Sequence, residues 1–267
     1  MNAVRYDHNG FNGWIAPGYD SPEMIGFLAD LPPRLQAPAD SSVRQVKASK
    51  DRRVFIVSTR IGGEERWFHV KYDSFPLLKN LKAIKYAFLA SRGQRAWKAG
   101  IASCEHSIPT PAPLALLEKR VGPFLTEALF ITEYAEGLEG FMSYYREHFY
   151  RKNDRESVLE KRWLTEDLAE IVARMHKAGI CHGDLKKNNI AIMPPTDGDA
   201  GFMVLDLENA EVRNNLSTPE RIEDLGCLAY SLVRYTSAAD RIRFFRKYCD
   251  LEQIPPKTGK RLVKEID

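Results

Sequence analysis

The 267-residue chain contains no run of about 18 apolar residues, so the sequence predicts no membrane-spanning helix. Its start, MNAVRYDHNGFNGW, lacks the basic-then-apolar order of a secretory signal, which predicts a protein that stays in the cytoplasm. It has only four cysteines and no CxxC pair. Neither a disulfide framework nor a zinc site is therefore expected, and the cysteines are interpreted as buried free thiols.

The chain also lacks a strong charge of either sign, an internal repeat and a long low-complexity tract. A net charge of +3 is too small to indicate nucleic-acid binding, so no nucleic-acid partner is predicted. What is present is enough hydrophobic sequence, 44%, for one sizeable core or for two small lobes that share a cleft.

Strand patterns dominate the first half of the chain. Residues 1–40 are rich in Gly, Pro and Asp and are interpreted as an extension that packs onto, or trails from, the main body. Arg52–Arg60 and Arg66–Tyr72 are apolar runs with β-branched and aromatic residues, and the Gly-Gly between them predicts a hairpin turn. Ala128–Gly137 predicts a further strand that ends in a polar connector.

Helix patterns dominate the second half. Leu164–Gly179 predicts a helix with Thr165 as its N-cap and one apolar stripe. Ile190–Met193 and Phe202–Leu205 predict two short strands around a turn, and a last helix begins near Ser217. Strands followed by helices indicate an α+β chain of two unequal lobes.

The stretch CHGDLKKNNIAIM, Cys181–Met193, combines residue types that phosphoryl transfer requires. Such transfer needs an acid that orients the nucleophile and accepts its proton, oxygen ligands for Mg²⁺, and a cation that positions the phosphates. Asp184 is the candidate base, Lys186 the nearby cation and Asn189 a neutral oxygen ligand.

Two residues outside this stretch complete the set. Asp206 lies at the end of the apolar strand in FMVLDLENA and is a candidate ligand of a divalent ion. Lys71 ends the strand WFHVKY, from which an ammonium group reaches phosphate oxygens. Asp184 taken alone is best interpreted as a solvated loop acid, whereas the whole set in this order favours catalysis. His182 is interpreted as structural.

HGDLKKNN resembles the catalytic loop of the protein-kinase-like fold, and Asp206-Leu207-Glu208 lies where that superfamily has DFG. Further stretches resemble the lipopolysaccharide core kinases, which phosphorylate heptose or 3-deoxy-manno-octulosonic acid (Kdo): WFHVKY, SRGQRAWKAGIASCEHSIPTPAPLALLE, LFITEYAEG, GICHGDLKKNNIAI, VLDLENA and RIEDLGCLAYSL. The resemblance implies a two-lobed kinase-like fold. A β-rich N-lobe over 41–134 and a small, mostly helical C-lobe over 135–267 would follow the extension.

The resemblance also implies a role for individual residues, with ATP as phosphoryl donor and Mg²⁺ as cofactor. Asp184 would be the catalytic base, with Lys186 beside it, and Asn189 and Asp206 would bind Mg²⁺. Asp224 would brace the catalytic loop through its backbone. The ATP contacts would come from Lys71 at the phosphates, Thr132 at the back of the adenine pocket, and the backbone of Glu133, Tyr134 and Ala135 at the adenine.

Two features depart from the superfamily pattern. No G-x-G-x-x-G precedes Lys71, and the candidate phosphate-covering loop is Lys47–Arg53, whose cationic side chains would replace backbone amides. The glutamate that pairs with the strand lysine in this superfamily is replaced by Ala96, and Gln94 and Glu105 are out-of-register substitutes.

The short segment between Asp206 and Asp224 favours a non-peptide acceptor, because protein kinases use a longer segment there to dock peptides. The predicted acceptor is a sugar of the lipopolysaccharide inner core. A kinase for another small molecule or a protein, and a nucleotide-binding scaffold without catalysis, are the alternatives. Basic residues near the C-terminus are interpreted as solvated helix faces or as a peripheral contact with an anionic glycolipid or the inner-membrane surface. These residues are Arg241, Arg243, Arg246, Lys247, Lys257, Lys260, Arg261 and Lys264.

Overall fold

The computed structural model describes residues 3–36, 41–76, 81–152, 154–193, 201–255 and 258–259. The chain divides into two compact units, one formed by residues 1–97 and 111–134, the other by residues 98–110 and 135–267. The first unit is built on a large sheet and the second is mostly helical, which confirms the predicted α+β class. The predicted turn at 194–200 and the basic residues from Lys257 onward fall outside the described residues.

The sheet of the first unit has seven antiparallel strands in the order β1-β2-β6-β7-β5-β4-β3. Its strands are β1 (Val4–His8), β2 (Phe11–Ile15), β3 (Val43–Ala48), β4 (Arg52–Ile61), β5 (Glu64–Ser74), β6 (Pro113–Val121) and β7 (Phe124–Glu133). The helices are α1 (Pro22–Gln36), α2 (Leu81–Phe88) and the start of α3 (Arg92–Glu105).

Residues 4–36, which the sequence assigns to an extension, form β1, β2 and α1 within this unit. Asn9 and Gly10 both adopt positive φ, the geometry of a tight two-residue hairpin turn between β1 and β2. Leu28, Leu31 and Leu35 of α1 are fully buried in the core that covers one face of the sheet. The predicted hairpin turn between β4 and β5 is confirmed, with positive φ at both of its glycines.

Within the described residues, the second unit packs four whole helices and the end of α3 against short strands. The helices are α4 (Phe141–His148), α5 (Arg155–Lys177), α6 (Thr218–Leu232) and α7 (Ala238–Leu251), and the strands are β8 (Glu139–Gly140), β9 (Ile180–Cys181), β10 (Ile190–Met193), β11 (Gly201–Val204) and β12 (Glu211–Val212). The core gathers the apolar stripes of α5 and α6 with the inward side chains of the β10–β11 hairpin.

The start of α5 was predicted wrongly. The helix begins at Arg155, where the Asp154 carboxylate accepts a hydrogen bond from the Ser157 N–H, and Thr165 lies inside the helix with its hydroxyl on the Lys161 carbonyl. The predicted start of α6 is confirmed, because Ser217 and Glu220 form a capping box there. Among the residues that the model describes, no helix is long and apolar enough to cross a membrane.

Candidate active site

The predicted catalytic loop joins β9 to β10 in the second unit and includes a 3-10 turn at Lys187–Asn189. Leu185 is fully buried and anchors the loop in the core. The Lys187 N–H donates to the Ser231 hydroxyl (3.0 Å), which ties the turn to α6. The loop is thus held by packing beneath and by hydrogen bonds at its backbone, so its polar side chains have defined positions.

Asp184, Lys186 and Asn189 contact one another directly. The Lys186 ammonium lies 2.8 and 2.7 Å from the two carboxylate oxygens of Asp184. The Asn189 amide donates to the Asp184 carbonyl (2.8 Å) and to its carboxylate (3.2 Å). Asp184 remains about one-third exposed, so a base held in one orientation faces solvent.

Asp206 lies beside this group, because the β10–β11 hairpin returns the chain to the same end. Asn189 comes just before β10, Asp206 comes two residues after the end of β11, and the Leu205 N–H donates to the Asn189 carbonyl (2.8 Å). The pKa of Lys186 is raised, mostly by its hydrogen bond to Asp184, while burial opposes the shift and the charges of Asp184 and Asp206 increase it. Asp206 itself adopts a left-handed backbone (φ 61°), a conformation that is uncommon outside glycine but that Asp, Asn and His adopt more often than other residues.

Asp224 supports the loop from below, as the resemblance implies. Its carboxylate is fully buried and accepts hydrogen bonds from the His182 N–H (2.6 Å) and the Gly183 N–H (2.9 Å). Burial acts to raise the pKa of Asp224, but the hydrogen bonds from His176 and the His182 N–H outweigh it and leave the pKa below its ordinary value. The carboxylate therefore stays ionised beneath the loop.

The sequence did not predict that hydrogen bonds continue from Asp224 to Tyr248 on α7. The His176 Nε2 lies 3.3 Å from Asp224, and its Nδ1 lies 2.7 Å from the Tyr248 hydroxyl. Arg221 donates to the same hydroxyl (3.3 Å), which leaves the Tyr248 proton for His176 Nδ1 and the Nε2 proton for Asp224. No local sequence motif indicates this series of hydrogen bonds, because its residues come from three different helices.

His182 has the structural role predicted for it. Its side chain is fully buried, and its Nε2 lies 3.0 Å from the Leu205 carbonyl, which makes Nε2 the donor. The hydrogen bond links the catalytic loop to the residue preceding Asp206. His182 thus helps to fix the distance between the carboxylates of Asp184 and Asp206.

In the first unit, Lys71 and Thr132 lie on the same face of the sheet. Lys71 pairs with Phe130 and His69 pairs with Thr132, and directly opposed residues of antiparallel strands share a face. Residues of the opposite parity, including Phe68, face the core that α1 covers. The face that bears Lys71 and Thr132 is therefore the one turned away from that core.

The predicted adenine-contacting segment begins at the end of β7. The Glu133 carboxylate accepts from the Tyr19 hydroxyl and from Arg66, both at 2.6 Å, and the Glu133 N–H donates to the Ala112 carbonyl. The Tyr134 N–H donates to the Trp67 carbonyl (3.0 Å), and its side chain is exposed. Ala135, the last residue predicted to contact the adenine, directly follows the last residue of the first unit.

The structure limits which cationic side chains of Lys47–Arg53 can replace the absent glycine-rich loop at the phosphates. Arg52 makes a two-point ion pair with Asp73, with both contacts at 2.6 Å, and Arg53 stacks over Tyr72 and donates to the Leu35 carbonyl. These two arginines are therefore engaged with the protein. Only the lysines of the Lys47–Arg53 loop project as exposed cations.

The structure also limits the substitutes proposed for the missing glutamate. Ala96 is buried in α3, at 2% exposure. Gln94 donates its side-chain amide to Glu118 (3.0 Å), and Ser91 donates to the same carboxylate. The Gln94 side-chain amide is thus engaged with β6, and a role for Gln94 in place of the missing glutamate stays a prediction.

Gly183 occupies a position that only glycine tolerates, because its φ is 70° and an added Cβ would lie 2.8 Å from the Asn209 carbonyl oxygen. We expect Gly183→Ala to lower the free energy of unfolding by about 1–2 kcal/mol and to reduce activity by displacing Asp184. Gly226→Ala is the matched control, since that helical position has open space and gains helix propensity. Denaturant titration of both variants measures the effect, and equal stabilities would contradict the proposed backbone constraint.

Within the described ranges, no group of three or more His, Cys, Asp and Glu side chains is arranged to hold a metal ion. The candidate Mg²⁺ ligands are the amide oxygen of Asn189 on the loop and the carboxylate of Asp206 after β11. Asn189 points its Nδ2 at Asp184, so its Oδ1 lies on the other side of the amide group. One amide and one carboxylate oxygen suit Mg²⁺, which is commonly held by one or two protein oxygens together with substrate phosphates.

Comparison with known proteins agrees with these features. The chain is 27% identical over 179 residues to the lipopolysaccharide core heptose(I) kinase WaaP of Pseudomonas aeruginosa. The match covers 64% of each protein, so the chain spans less than two thirds of that relative's length. The solved structure of WaaP in complex with acyl carrier protein superposes with a TM-score of 0.63 at 21% identity, covering 87% of this chain and 92% of that one, which shows the shared kinase-like fold. The family model of the lipopolysaccharide kinases (Kdo/WaaP) matches residues 40–248. The chain therefore belongs to the lipopolysaccharide kinase (Kdo/WaaP) family.

Proposed function

We propose that the protein transfers the γ-phosphoryl group of ATP to a sugar hydroxyl, heptose or Kdo, of the lipopolysaccharide inner core. The observation that carries this proposal is the contact group of Asp184, Lys186 and Asn189, with Asp206 at the same end of the hairpin, in a chain of this family. A structural loop would not require a carboxylate that is about one-third exposed and held by two partners.

In the proposed mechanism the Asp184 carboxylate accepts a hydrogen bond from the acceptor hydroxyl and takes its proton. The freed oxygen forms a bond to the γ-phosphorus, and the bond to the β–γ bridging oxygen breaks, so that ADP leaves. Asn189 keeps Asp184 oriented, and Lys186 offsets negative charge that develops on the transferred group.

Asn189 and Asp206 would hold Mg²⁺, which supplies charge neutralisation at the β- and γ-phosphates when it is bound. Lys71 would contact the phosphates, and Thr132 with the backbone of Glu133, Tyr134 and Ala135 would contact the adenine. Support for the nucleotide contacts comes from the family membership and from the shared sheet face of Lys71 and Thr132.

A labelled-transfer assay tests the function directly. The full chain is incubated with Mg²⁺ and γ-labelled ATP and with core oligosaccharide, heptose, Kdo or a generic protein as acceptor. We expect label in the core oligosaccharide. Label in the generic protein alone would favour a protein kinase, and Mg·ATP binding without transfer to any acceptor would favour a nucleotide-binding scaffold.

We also propose that an acyl carrier protein is a partner, since WaaP was solved in complex with one. The second unit contains a mostly apolar cavity of about 790 Å³ between α4, α5, α6 and α7, with Lys161, Asp240 and Arg241 among its polar lining groups. This volume lies in the range of small-molecule sites and suits the acyl chain that such a carrier bears.

Titration calorimetry with acylated and unacylated carrier separates the two contributions. We expect tighter binding of the acylated form and the loss of this difference in Ala229→Phe, which fills part of the cavity. Equal binding of both forms would show that the cavity takes no acyl chain.

A cytoplasmic location with peripheral contact to the anionic inner-membrane surface completes the proposal, because the acceptor is a glycolipid. Four of the basic residues predicted for this contact, Arg241, Arg243, Arg246 and Lys247, lie on α7. Arg243 lies 3.3 Å from Asp240 and Lys247 lies 2.7 Å from Glu170, so these two cations are paired within the protein. Their pairing favours a search for the membrane contact elsewhere.

A further inference from the structure

Helix α2 presents large apolar side chains to solvent. Phe88 is 85% exposed, Leu89 just after the helix is 57% exposed, and Ile84 is 46% exposed. Ile84 and Phe88 are four residues apart and share one side of the helix. An exposed aromatic and two exposed aliphatic side chains within six residues form an apolar patch that water solvates poorly.

The opposite side of α2 is fixed to the sheet. Ala83 and Tyr86 are buried against Leu125 and Ala128 of β7, and the Tyr86 ring lies 5.3 Å from that of Phe75. Arg120 also donates to the Tyr86 carbonyl (3.1 Å). The helix is therefore held in one orientation, and its apolar patch faces outward because the anchored side faces the sheet.

The sequence of α2 and its flanks carries charge of one sign, although Lys82 of α2 pairs with Asp51 from the segment between β3 and β4. Between Asp73 and Glu105 the sequence contains no acidic residue, whereas it contains six basic ones: Lys79, Lys82, Lys85, Arg92, Arg95 and Lys98. Lys85 is exposed next to Ile84, and the first turns of α2 and α3 contain no acidic residue. Exposed apolar side chains flanked by Lys85 and Arg92 match the two layers of an anionic bilayer, with its acyl chains beneath negative headgroups.

We propose that α2 is a membrane-docking element that inserts Phe88, Leu89 and Ile84 between the headgroups of anionic phospholipids, with Lys85 and Arg92 contacting the phosphates. This inference deepens the proposed function, on which it rests, by naming the surface through which the enzyme reaches a membrane-borne acceptor. The site differs from the C-terminal basic residues, for which a membrane contact was one of two interpretations of the sequence.

Vesicle co-sedimentation of the full chain tests the docking. We expect binding to phosphatidylcholine vesicles that contain phosphatidylglycerol and weaker binding to phosphatidylcholine alone. Phe88→Ser should weaken binding at least about tenfold, and Lys85→Glu should weaken it roughly fivefold or more at low salt, with the latter effect reduced by added salt. Tyr230→Ser is the matched control, because Tyr230 is 87% exposed but lies on α6, outside the basic segment.

Transfer assays separate docking from catalysis. Phe88→Ser should slow transfer to lipopolysaccharide in anionic vesicles and leave transfer to detergent-dispersed lipopolysaccharide unchanged. Wild-type protein that transfers phosphate but binds vesicles no better than Phe88→Ser would overturn the docking proposal and leave the function standing. Sedimentation velocity provides a second test. A wild-type dimer that becomes monomeric in Phe88→Ser would also overturn the docking proposal, because a second copy of the protein would then cover the patch. If wild-type protein binds vesicles and transfers no phosphate to either acceptor, the proposed function fails instead.

Discussion

Replacement of Asp184 by alanine is expected to lower the turnover number for phosphoryl transfer by about 10²- to 10⁴-fold, the range attributed to a positioned general base. The substitution removes the group that would orient the acceptor hydroxyl and accept its proton. The fold should persist, because the Asp184 side chain is about one-third exposed and packs in no core. Steady-state kinetics and a thermal melt of the same preparation measure both effects.

Asn188→Ala is the matched control for this loop. Asn188 is exposed and lies one residue before Asn189, so its loss perturbs the same segment without touching Asp184. Its turnover should stay within about twofold of wild type. The assignment of Asp184 would be wrong if Asp184→Ala retained wild-type turnover, or if both variants lost activity to the same extent.

Replacement of Asp224 by alanine is expected to have the largest effect on stability. The variant leaves two buried N–H groups, those of His182 and Gly183, and the His176 ring without their acceptor. Each unsatisfied buried group costs about 1–3 kcal/mol, so the free energy of unfolding should fall by about 3 kcal/mol or more. Glu223→Ala, an exposed carboxylate one residue earlier on α6, should change it by less than about 0.5 kcal/mol.

The stability that Asp224 provides should also depend on pH in a defined direction. Its pKa in the folded protein lies below the ordinary value of 3.8, so its stabilising effect is fully present above about pH 4 and is lost as the pH falls through the folded pKa. The difference in unfolding free energy between wild type and Asp224→Asn should be constant from pH 7 to about pH 5 and should shrink on further acidification. A difference that grows as the pH falls would contradict the assigned direction of the pKa shift.

Local signals allowed part of the molecule to be predicted. The Gly62-Gly63 turn, the Ser217 cap and the β10–β11 hairpin depend on neighbouring residues, whose backbone preferences are written in short stretches. The residues of the predicted catalytic loop were also singled out from sequence, because the proposed chemistry constrains residue types at fixed spacing, and the structure brings them into contact. Its internal contacts join residues only two to five positions apart.

Features that depend on distant partners could not be predicted. The sheet extension by β1 and β2 arises because β2 pairs with β6, about one hundred residues later. Thr165 has the chemistry of a cap but lies inside α5, since Asp154 caps the helix earlier. The hydrogen bonds from Asp224 through His176 to Tyr248 join three helices, and Gln94 is committed to Glu118 by a contact that no spacing reveals.

The measurement that tests the central claim most directly is the mass of lipopolysaccharide core from a strain that lacks this protein, before and after incubation with Mg·ATP and the purified chain. We predict that wild-type protein adds phosphate to an inner-core sugar and that Asp184→Ala adds none under the same conditions. A core whose mass is unchanged by the wild-type protein, or is increased equally by both proteins, would contradict the account.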